Sequence, residues 1–273
     1  MIMPDTIFAL ANRGVLSLSG DDRLSFLQGL ISNDIALCTP ERPLFAALLT
    51  PQGKFLFDLF IVNQGNRFLV DAELARIDEL LALLTKYKLR AKVAIENVSD
   101  SFGVWGALNG SIGLPDPRLA ALGSRGIFVK SEAPIETNTS DAYDFHRLQL
   151  GVPDGSRDLI VGKSTLSEGN FDLLNGISWT KGCYVGQELT ARMHHRGLVK
   201  KRLFPVKITG STPAFGSLIH LNGKEIGEMR GSNGTFGLAL LTIEVIKPIL
   251  AQKQPINCEN ALLDPSQPDW LEI

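Results

Sequence analysis

The sequence predicts an α+β body in its first two-thirds, followed by a small all-β domain, either a barrel or a sandwich. Through residues 1–200, hydrophobic runs of strand length alternate with amphipathic helical patterns, as is typical of α+β folds. After Gly197 the hydrophobic segments become short and are separated by glycines, which indicates a small all-β domain. We therefore divide the chain into residues 1–200 and residues 201–273.

Composition and charge narrow the class of protein. The chain of 273 residues is 44% hydrophobic and 21% charged, which suits a globular protein with a sizeable core. Its net charge of −2 argues against a dedicated nucleic-acid binder, because such proteins neutralise phosphates with a basic face. No apolar run has the length that spans a membrane. We expect neither nucleic acid nor a membrane among the partners.

The three cysteines, Cys38, Cys183 and Cys258, are widely spaced. No Cys-x-x-Cys and no cysteine–histidine cluster with zinc spacing is present, so the sequence predicts neither a metal site nor a disulfide framework. The first ten residues resemble neither a secretion signal nor a transit peptide. Together these observations predict a cytoplasmic location, since the cytosol keeps thiols reduced.

The N-terminal third combines strands with one helix. The sequence predicts two strands joined by a turn at residues 7–10 and 15–18, and a helix at residues 21–31. It then predicts the two strands of a hairpin at residues 44–49 and 55–62. Asp58 lies inside the last of these strands among apolar neighbours. Two interpretations of Asp58 stay open, a position on the solvent-facing side of the pleat or a functional acid.

The remaining body alternates again, and Asp71 is predicted to cap a long helix. The predicted strands are residues 67–70, 93–98, 102–108 and 127–130, and the predicted helices are residues 72–87 and 141–150. The all-β region offers strands at residues 203–208, 217–221, 224–226 and 237–241. Asn222 and Gly223 form a strong hairpin signal between two of them.

Residues 180–192 carry more reactive side chains than a core segment needs. Gly182 and Gly186 indicate close approach of the backbone to a ligand or to a neighbouring segment. Cys183 is the strongest candidate, because Lys181 and a short helix that starts near residues 185–187 would both favour a thiolate. A lone cysteine is also commonly a small buried residue, and both interpretations stay open.

Polar residues that follow this motif give weaker signals. His194 and His195, if placed on a strand, would point to opposite sides, which suits a structural or phosphate-contacting role better than a metal site. Arg192 and the basic residues from Arg196 to Arg202 indicate either a solvated strand edge or an anion site.

Residues 181–188, Lys-Gly-Cys-Tyr-Val-Gly-Gln-Glu, resemble the signature of the YgfZ-type proteins, bacterial relatives of a mitochondrial iron–sulfur assembly factor. The resemblance continues through Ala191, Arg192 and residues 195–197. It extends to the stretches at residues 26–34, 50–58, 147–153 and 170–179. It covers the whole chain, weakly between residues 110 and 140.

This family is similar to the folate-dependent aminomethyltransferase of the glycine cleavage system. The resemblance implies interleaved ferredoxin-like α+β units, a C-terminal β-barrel and a central channel that binds reduced folate. It also implies a tetrahydrofolate-binding protein that supports assembly or repair of iron–sulfur clusters in client enzymes, one of them tRNA-modifying. The expected cofactor is tetrahydrofolate, and the expected partners are iron–sulfur client enzymes or assembly proteins.

The resemblance assigns roles to single residues. Cys183 and Lys181 carry the chemistry, with Lys181 keeping the thiol ionised. The predicted folate contacts are Glu168, Tyr184, Gln187, Glu188, Arg192 and Asp58. A carboxylate at Glu168 can accept hydrogen bonds from the N–H groups of a pterin ring.

Two alternatives to a folate-binding assembly factor stay open. In the first, the protein is an aminomethyl- or methyltransferase that acts on a methylamine donor, and Asp58 rather than Phe57 takes the position of the catalytic acid. In the second, it is a scaffold that has lost ligand binding. Whether the protein is an enzyme is therefore left undecided by the sequence.

Overall fold

The computed structural model describes residues 6–108 and 110–273. Residues 1–5, part of the stretch tested for a leader, lie outside the described residues. The strands are β1 Ile7–Ala9, β2 Arg13–Ser19, β3 Leu44–Leu49, β4 Phe55–Asn63, β5 Arg67–Glu73, β6 Ala94–Asn97, β7 Phe102–Ala107, β8 Leu114–Pro115, β9 Ser124–Val129, β10 Lys201–Gly210, β11 Leu218–Leu221, β12 Lys224–Asn233, β13 Phe236–Thr242, β14 Ile256–Cys258 and β15 Ala261–Pro265. The α-helices are α1 Arg23–Gln28, α2 Ile77–Lys88, α3 Ser140–Gln149, α4 Gln187–His195 and α5 Ile243–Gln252.

The body contains two antiparallel sheets that interleave along the chain. One has five strands in the order β3-β4-β5-β2-β6, and the other has four in the order β1-β7-β9-β8. Strand β1 comes first in the chain but belongs to the second sheet, where it pairs with β7. The interleaved α+β body predicted from the resemblance is confirmed.

Two hydrophobic cores hold the body together. One lies on the face of the five-stranded sheet that α2 covers, and it includes Leu16, Phe57 and Leu80. The other lies between the two sheets and includes Phe60 and Val104. This second core also contains side chains from the barrel, so the body and the barrel share buried apolar surface.

The C-terminal strands close into a six-stranded barrel in the order β10-β13-β12-β11-β14-β15. Asn222 and Gly223 both have positive φ, 51° and 76°, in the turn that pairs Leu221 with Lys224. This is the geometry that a two-residue hairpin turn requires, so both the barrel and this turn are confirmed. The sequence analysis assigned no element after residue 241, and it therefore missed α5, β14 and β15.

The first two strands, which were predicted to be joined by a turn, do not pair with each other. Strand β1 pairs with β7, whereas β2 pairs with β5 and β6 in the other sheet. Turn residues indicate only that the chain changes direction between two strands. The pairing itself is decided by strands that lie far along the chain.

Asp71 is not a helix cap, contrary to the prediction. It lies in β5 opposite Val15 and is buried, and its carboxylate accepts hydrogen bonds from Arg13 and Arg125. The strand continues to Glu73, and α2 begins only at Ile77. The two arginines come from other strands, so the sequence around Asp71 contains no sign of them.

Candidate functional site

The loop from Ser178 to Gly186 lies against the chain that follows α1. The Ser178 amide donates to the Ser32 carbonyl at 3.0 Å, and the Val185 amide donates to the Gly29 carbonyl at 3.1 Å. Both ends of the loop are thereby fixed to the same short segment, residues 29–32, directly after α1. We call residues 178–186 the thiol loop, because they include Cys183.

Lys181 fixes the middle of the thiol loop. Its Nζ donates to the backbone carbonyls of Gln28, Ile31 and Asn33 at 2.8, 2.8 and 2.7 Å. Gln28 is the last residue of α1, where carbonyls lack helical partners. Burial lowers the pKa of Lys181 to about 8. Three acceptors take all three ammonium hydrogens, so none is left to ionise the Cys183 thiol as the sequence analysis had proposed.

Side chains of the thiol loop differ in exposure. Lys181 and Tyr184 are buried, whereas Cys183 is exposed. The other cysteines, Cys38 and Cys258, are buried. The structure therefore separates one accessible thiol from two inaccessible ones, as the choice of Cys183 required.

The two glycines of the motif differ. Gly186 has φ of 81°, and a Cβ there would lie 2.4 Å from the Thr50 carbonyl oxygen. It permits close approach of α4 to the β3–β4 turn, as predicted. A Cβ on Gly182 would meet no atom of the described chain within 4 Å, so close approach does not explain that glycine.

Helix α4 follows the thiol loop directly and includes both histidines, which the sequence analysis had considered on a strand. The His194 ring stacks on the Trp179 ring with centroids 3.8 Å apart and an interplanar angle of 13°. Trp179 remains 38% exposed. The sequence analysis missed Trp179, because nothing near it in the sequence shows that an imidazole would cover one face of its ring.

A cleft of about 540 Å³ opens beside the thiol loop, between the two sheets of the body. Its lining includes Ile177, Trp179 and Thr180 together with Arg42 and Pro117. A smaller depression shares its Pro43 and Pro117 walls and leads toward Phe60 and Arg125.

The predicted folate contacts are dispersed. None of Glu168, Tyr184, Gln187, Glu188, Arg192 and Asp58 lines the cleft. Glu188 and Arg192 are exposed on α4, and the Gln187 side chain accepts a long bond of 3.4 Å from the Tyr184 amide. Glu168 accepts a hydrogen bond of 2.7 Å from the Thr165 amide. These assignments stay predictions, and the cleft offers a different set of side chains.

Asp58 does not face solvent; it is 2% exposed and belongs to a buried network of charges. Arg13 donates to both Asp58 carboxylate oxygens at 3.0 and 3.1 Å, to Asp71 at 2.7 Å and to Asp154 at 3.4 Å. Burial raises the pKa of Asp58, with Arg13 opposing this shift and Asp154 adding to it. The carboxylate is therefore committed to a structural ion pair.

The register of this strand places Phe57 and Asp58 in different environments. Phe57 packs in the core beneath the helices, whereas Asp58 points to the junction between the sheets. Both oxygens of Asp58 are occupied by Arg13, and Asp58 does not line the cleft. Neither residue is thus placed as a free acid.

The network extends from the body to the barrel. Arg147 of α3 donates to Asp144 and Asp158 at 2.6 Å each, and Asp158 accepts from the Gly231 amide of β12 at 3.1 Å. Sequence analysis noted Arg147 only within a motif and missed the network, because its members are distant in the chain. They are brought together only by the fold.

No group of three or more His, Cys, Asp or Glu side chains could hold a metal ion within residues 6–108 and 110–273. Over the same residues, no helix is both long and apolar enough to cross a membrane.

Comparison with known proteins gives the family. The model of the CAF17 C-terminal beta-barrel domain matches residues 200–273. The human iron–sulfur cluster assembly factor IBA57, mitochondrial, is 33% identical over 303 aligned positions, which cover 96% of this chain and 84% of the human protein. The chain belongs to the IBA57 family.

Other comparisons agree with this family. The mouse IBA57 protein is 34% identical over 89% of this chain and 79% of its own length. The glycine cleavage system aminomethyltransferase T from Bartonella henselae superposes with a TM-score of 0.71, covering 98% of this chain and 86% of that one. At 12% identity this likeness shows the fold alone. The resemblance to iron–sulfur assembly proteins is confirmed for the IBA57 family, and a specific YgfZ-type assignment stays a prediction.

The predicted cytoplasmic location is wrong by this comparison. The human and mouse IBA57 proteins are named mitochondrial, and this finding points to mitochondria instead. Free cysteines exclude a disulfide framework, but they do not distinguish between compartments that lack disulfides.

Proposed function

We propose that this IBA57-family protein supports assembly of iron–sulfur clusters through direct contact of the Cys183 thiol with cluster iron. The observation that carries the proposal is an exposed thiol in a loop held at Ser178, Lys181 and Val185. Fixed points on both sides limit where the thiol can move, while the thiol itself stays accessible. Such a thiol suits transient contact with a cluster held elsewhere.

Ligand number decides what Cys183 can do alone. Clusters are commonly held by four protein ligands, mostly thiolates, and this site supplies one. No described group of side chains completes such a set. The remaining ligands therefore come from a partner protein or from small thiols, and Cys183 completes or receives a cluster that they carry.

Complementation tests this role. We expect Cys183→Ser to abolish the recovery of iron–sulfur enzyme activity in cells that lack the native protein. Cys38→Ala is the matched control, because it removes a buried thiol, and it should retain recovery at equal protein abundance. Full recovery with Cys183→Ser would remove the thiol from the function.

We further propose that reduced folate binds in the cleft beside the thiol loop. The volume of about 540 Å³ lies in the range of small-molecule sites. Trp179 and Ile177 offer apolar and aromatic surface for a flat ring, and the exposed Arg42 suits a ligand carboxylate. These features support the proposal with side chains other than those named from the resemblance.

Calorimetric titration with 5-formyltetrahydrofolate tests the cleft. We expect saturable binding that Arg42→Ala weakens about threefold to tenfold, through loss of a charge-assisted hydrogen bond. Arg90→Ala, an exposed arginine far from the cleft in sequence, should leave the affinity unchanged. Absence of saturable heat with the unmodified protein would reject folate binding and leave the Cys183 role standing.

No observation favours the aminomethyltransferase alternative. That reaction needs a free acid–base group, and Asp58 is buried and occupied by Arg13. A steady-state assay with tetrahydrofolate and a methylamine donor should accordingly show no turnover.

A further inference from the structure

A cavity of about 940 Å³ lies against the barrel, and we call it the barrel cavity. Its lining comes from β10, β13, β15, α5 and the residues that follow α5 and β15. It shares no lining residue with the cleft or with the thiol loop, so it is a separate feature of the chain. The volume is near the upper end of the roughly 300–1,000 Å³ that is typical of small-molecule sites.

Three neighbouring strands present one row of side chains to the barrel cavity. Lys207 of β10 pairs with Phe236 of β13 and, on its other edge, with Asp264 of β15. Directly paired residues project to the same face of a sheet, and the neighbours of Lys207 along β10, Val206 and Ile208, belong to the barrel core. The row therefore lies on the outer face of the barrel.

The Phe236 ring in this row is half-buried and is held by an aromatic contact. It packs edge to face against the Phe145 ring of α3, with centroids 5.0 Å apart and an interplanar angle of 84°. This arrangement is one that aromatic pairs favour, so it fixes the orientation of the ring. Phe236 thus gives the barrel cavity a firm apolar wall.

Helix α5 supplies a second group of lining side chains. Ile246 and Ile249 pack into the barrel core, whereas Lys247, Leu250 and Ala251 line the barrel cavity. Residues three and four positions apart lie on the same face of a helix, so these last three form one face of α5. The helix therefore places a cation beside apolar surface, as the strand row does.

The charged side chains of the lining are predominantly basic. They are Lys207, Lys247 and Lys253 together with one acid, Asp264. None of the four side chains forms a salt bridge or a hydrogen bond with any residue in the part of the chain that the structure describes. Three lysines against one aspartate leave an excess of two positive charges, in a chain whose net charge is −2. The barrel cavity therefore favours an anionic ligand.

We propose that the barrel cavity binds a small amphiphilic anion, a molecule with one carboxylate or phosphate group on an apolar body. The lysine ammonium groups bind the anionic group, because charge-assisted hydrogen bonds are the strong ones. Phe236, Leu250 and Ile273 contact the apolar body. The proposal goes beyond the role of Cys183 and does not depend on it, since the barrel cavity has no residue in common with the thiol loop.

Calorimetric titration of the full-length protein with decanoate and with decyl phosphate, each below its critical micelle concentration, tests the proposal. We expect saturable binding of at least one of these anions, and the tighter of the two identifies the anionic group. Decyltrimethylammonium joins a cationic group to the same chain and should bind at least about tenfold more weakly. Saturable heat from neither anion would overturn the proposal. Equal affinity for the cation would overturn it as well, because the apolar chain alone would then account for binding.

Neutralising one lysine tests the contribution of charge. Lys207→Gln keeps a long polar side chain but removes the positive charge, and we expect it to weaken binding of the tighter anion about fivefold or more. Lys224→Gln is the matched control, because Lys224 is an exposed lysine of the same barrel outside the cavity lining. Equal affinities of the two variants would contradict the proposal.

A bulky side chain tests the location. Ala251→Trp adds an indole ring to the face of α5 that lines the barrel cavity, and we expect it to abolish saturable binding. Ala214→Trp adds the same ring at an exposed position outside the lining and should leave the affinity within about twofold of the unmodified protein. Thermal unfolding checks that both variants fold. Unchanged binding by folded Ala251→Trp would reject the barrel cavity as the site.

Two further arms separate the barrel cavity from the cleft and from a membrane surface. Displacement of the bound anion by 5-formyltetrahydrofolate would place both ligands in one site and overturn the proposal, whereas independent binding supports it. Cosedimentation with phosphatidylglycerol vesicles that Lys207→Gln weakens, without saturable binding of either soluble anion, would assign the lysines to a membrane surface and overturn it. Complementation by Ala251→Trp at the level of the unmodified protein is expected, because the Cys183 role is separate from this site.

Discussion

At the junction of the two sheets, Arg13 meets three carboxylates in the interior, and its bonds to Asp58, Asp71 and Asp154 range from 2.7 to 3.4 Å. In the thiol loop, Cys183 stands in solvent without any such partners. At the junction the charged side chains pair with one another, because unpaired charges inside a protein are costly. In the thiol loop the hydrogen bonds hold the backbone and Lys181 in place, and the Cys183 thiol stays exposed. Dense polar chemistry therefore indicates function only where a group remains unoccupied.

Breaking the junction should have the largest effect. Arg13→Met leaves three buried carboxylates without their shared guanidinium, and we expect it to lower the free energy of unfolding by about 3–5 kcal/mol. Arg90→Met, at an exposed position, should change it by less than about 0.5 kcal/mol. Urea unfolding measures both. A loss for Arg13→Met no larger than for Arg90→Met would show that the junction is not held by this network.

The contact between α4 and the β3–β4 turn is tested by a pair of glycine substitutions. Gly186→Ala combines a φ of 81° with a Cβ 2.4 Å from a carbonyl oxygen, and should cost about 2–4 kcal/mol. Gly182→Ala meets no atom within 4 Å and should cost less than about 0.5 kcal/mol. Thermal unfolding of both variants gives the comparison. Similar costs would mean that the thiol loop is not seated against the turn.

Anchoring of the thiol loop depends on Lys181. Lys181→Met leaves three backbone carbonyls without their donor, and we expect a loss of about 1–3 kcal/mol in unfolding free energy. Alkylation of Cys183 by iodoacetamide should accelerate, because the loop is released. Lys163→Met removes an exposed lysine and should change neither quantity. An unchanged alkylation rate in Lys181→Met would show that Lys181 does not restrain the thiol.

The smallest effect is a pH dependence at Asp58. A carboxyl group whose pKa is raised by folding loses stabilising free energy as the pH increases from its unfolded pKa, about 4, through its folded pKa. The destabilisation caused by Asp58→Asn should therefore be smaller at pH 8 than at pH 4.5, since asparagine cannot ionise. Unfolding at both pH values measures the difference, with the exposed Asp100→Asn as control. A larger cost at pH 8 would contradict the raised pKa.

Part of the site was accessible from sequence. The motif around Cys183 drew attention to the loop that holds the exposed thiol, and Gly186 predicted a close approach that the Thr50 carbonyl provides. Lys181 was assigned to the thiol because the two residues are close in sequence. Its amine instead meets the carbonyls that follow α1, about 150 residues earlier in the chain. Sequence proximity does not give side-chain direction.

The sequence by itself determined the α+β body, the C-terminal all-β domain and the Asn222–Gly223 turn. These follow from local periodicity and turn chemistry, which neighbouring residues encode. Only the tertiary structure decided which strands pair, that Asp58 and Asp71 share Arg13, and that Trp179 meets His194. Those contacts join residues distant in the chain, where burial of apolar surface and satisfaction of buried charge select partners that no local pattern specifies.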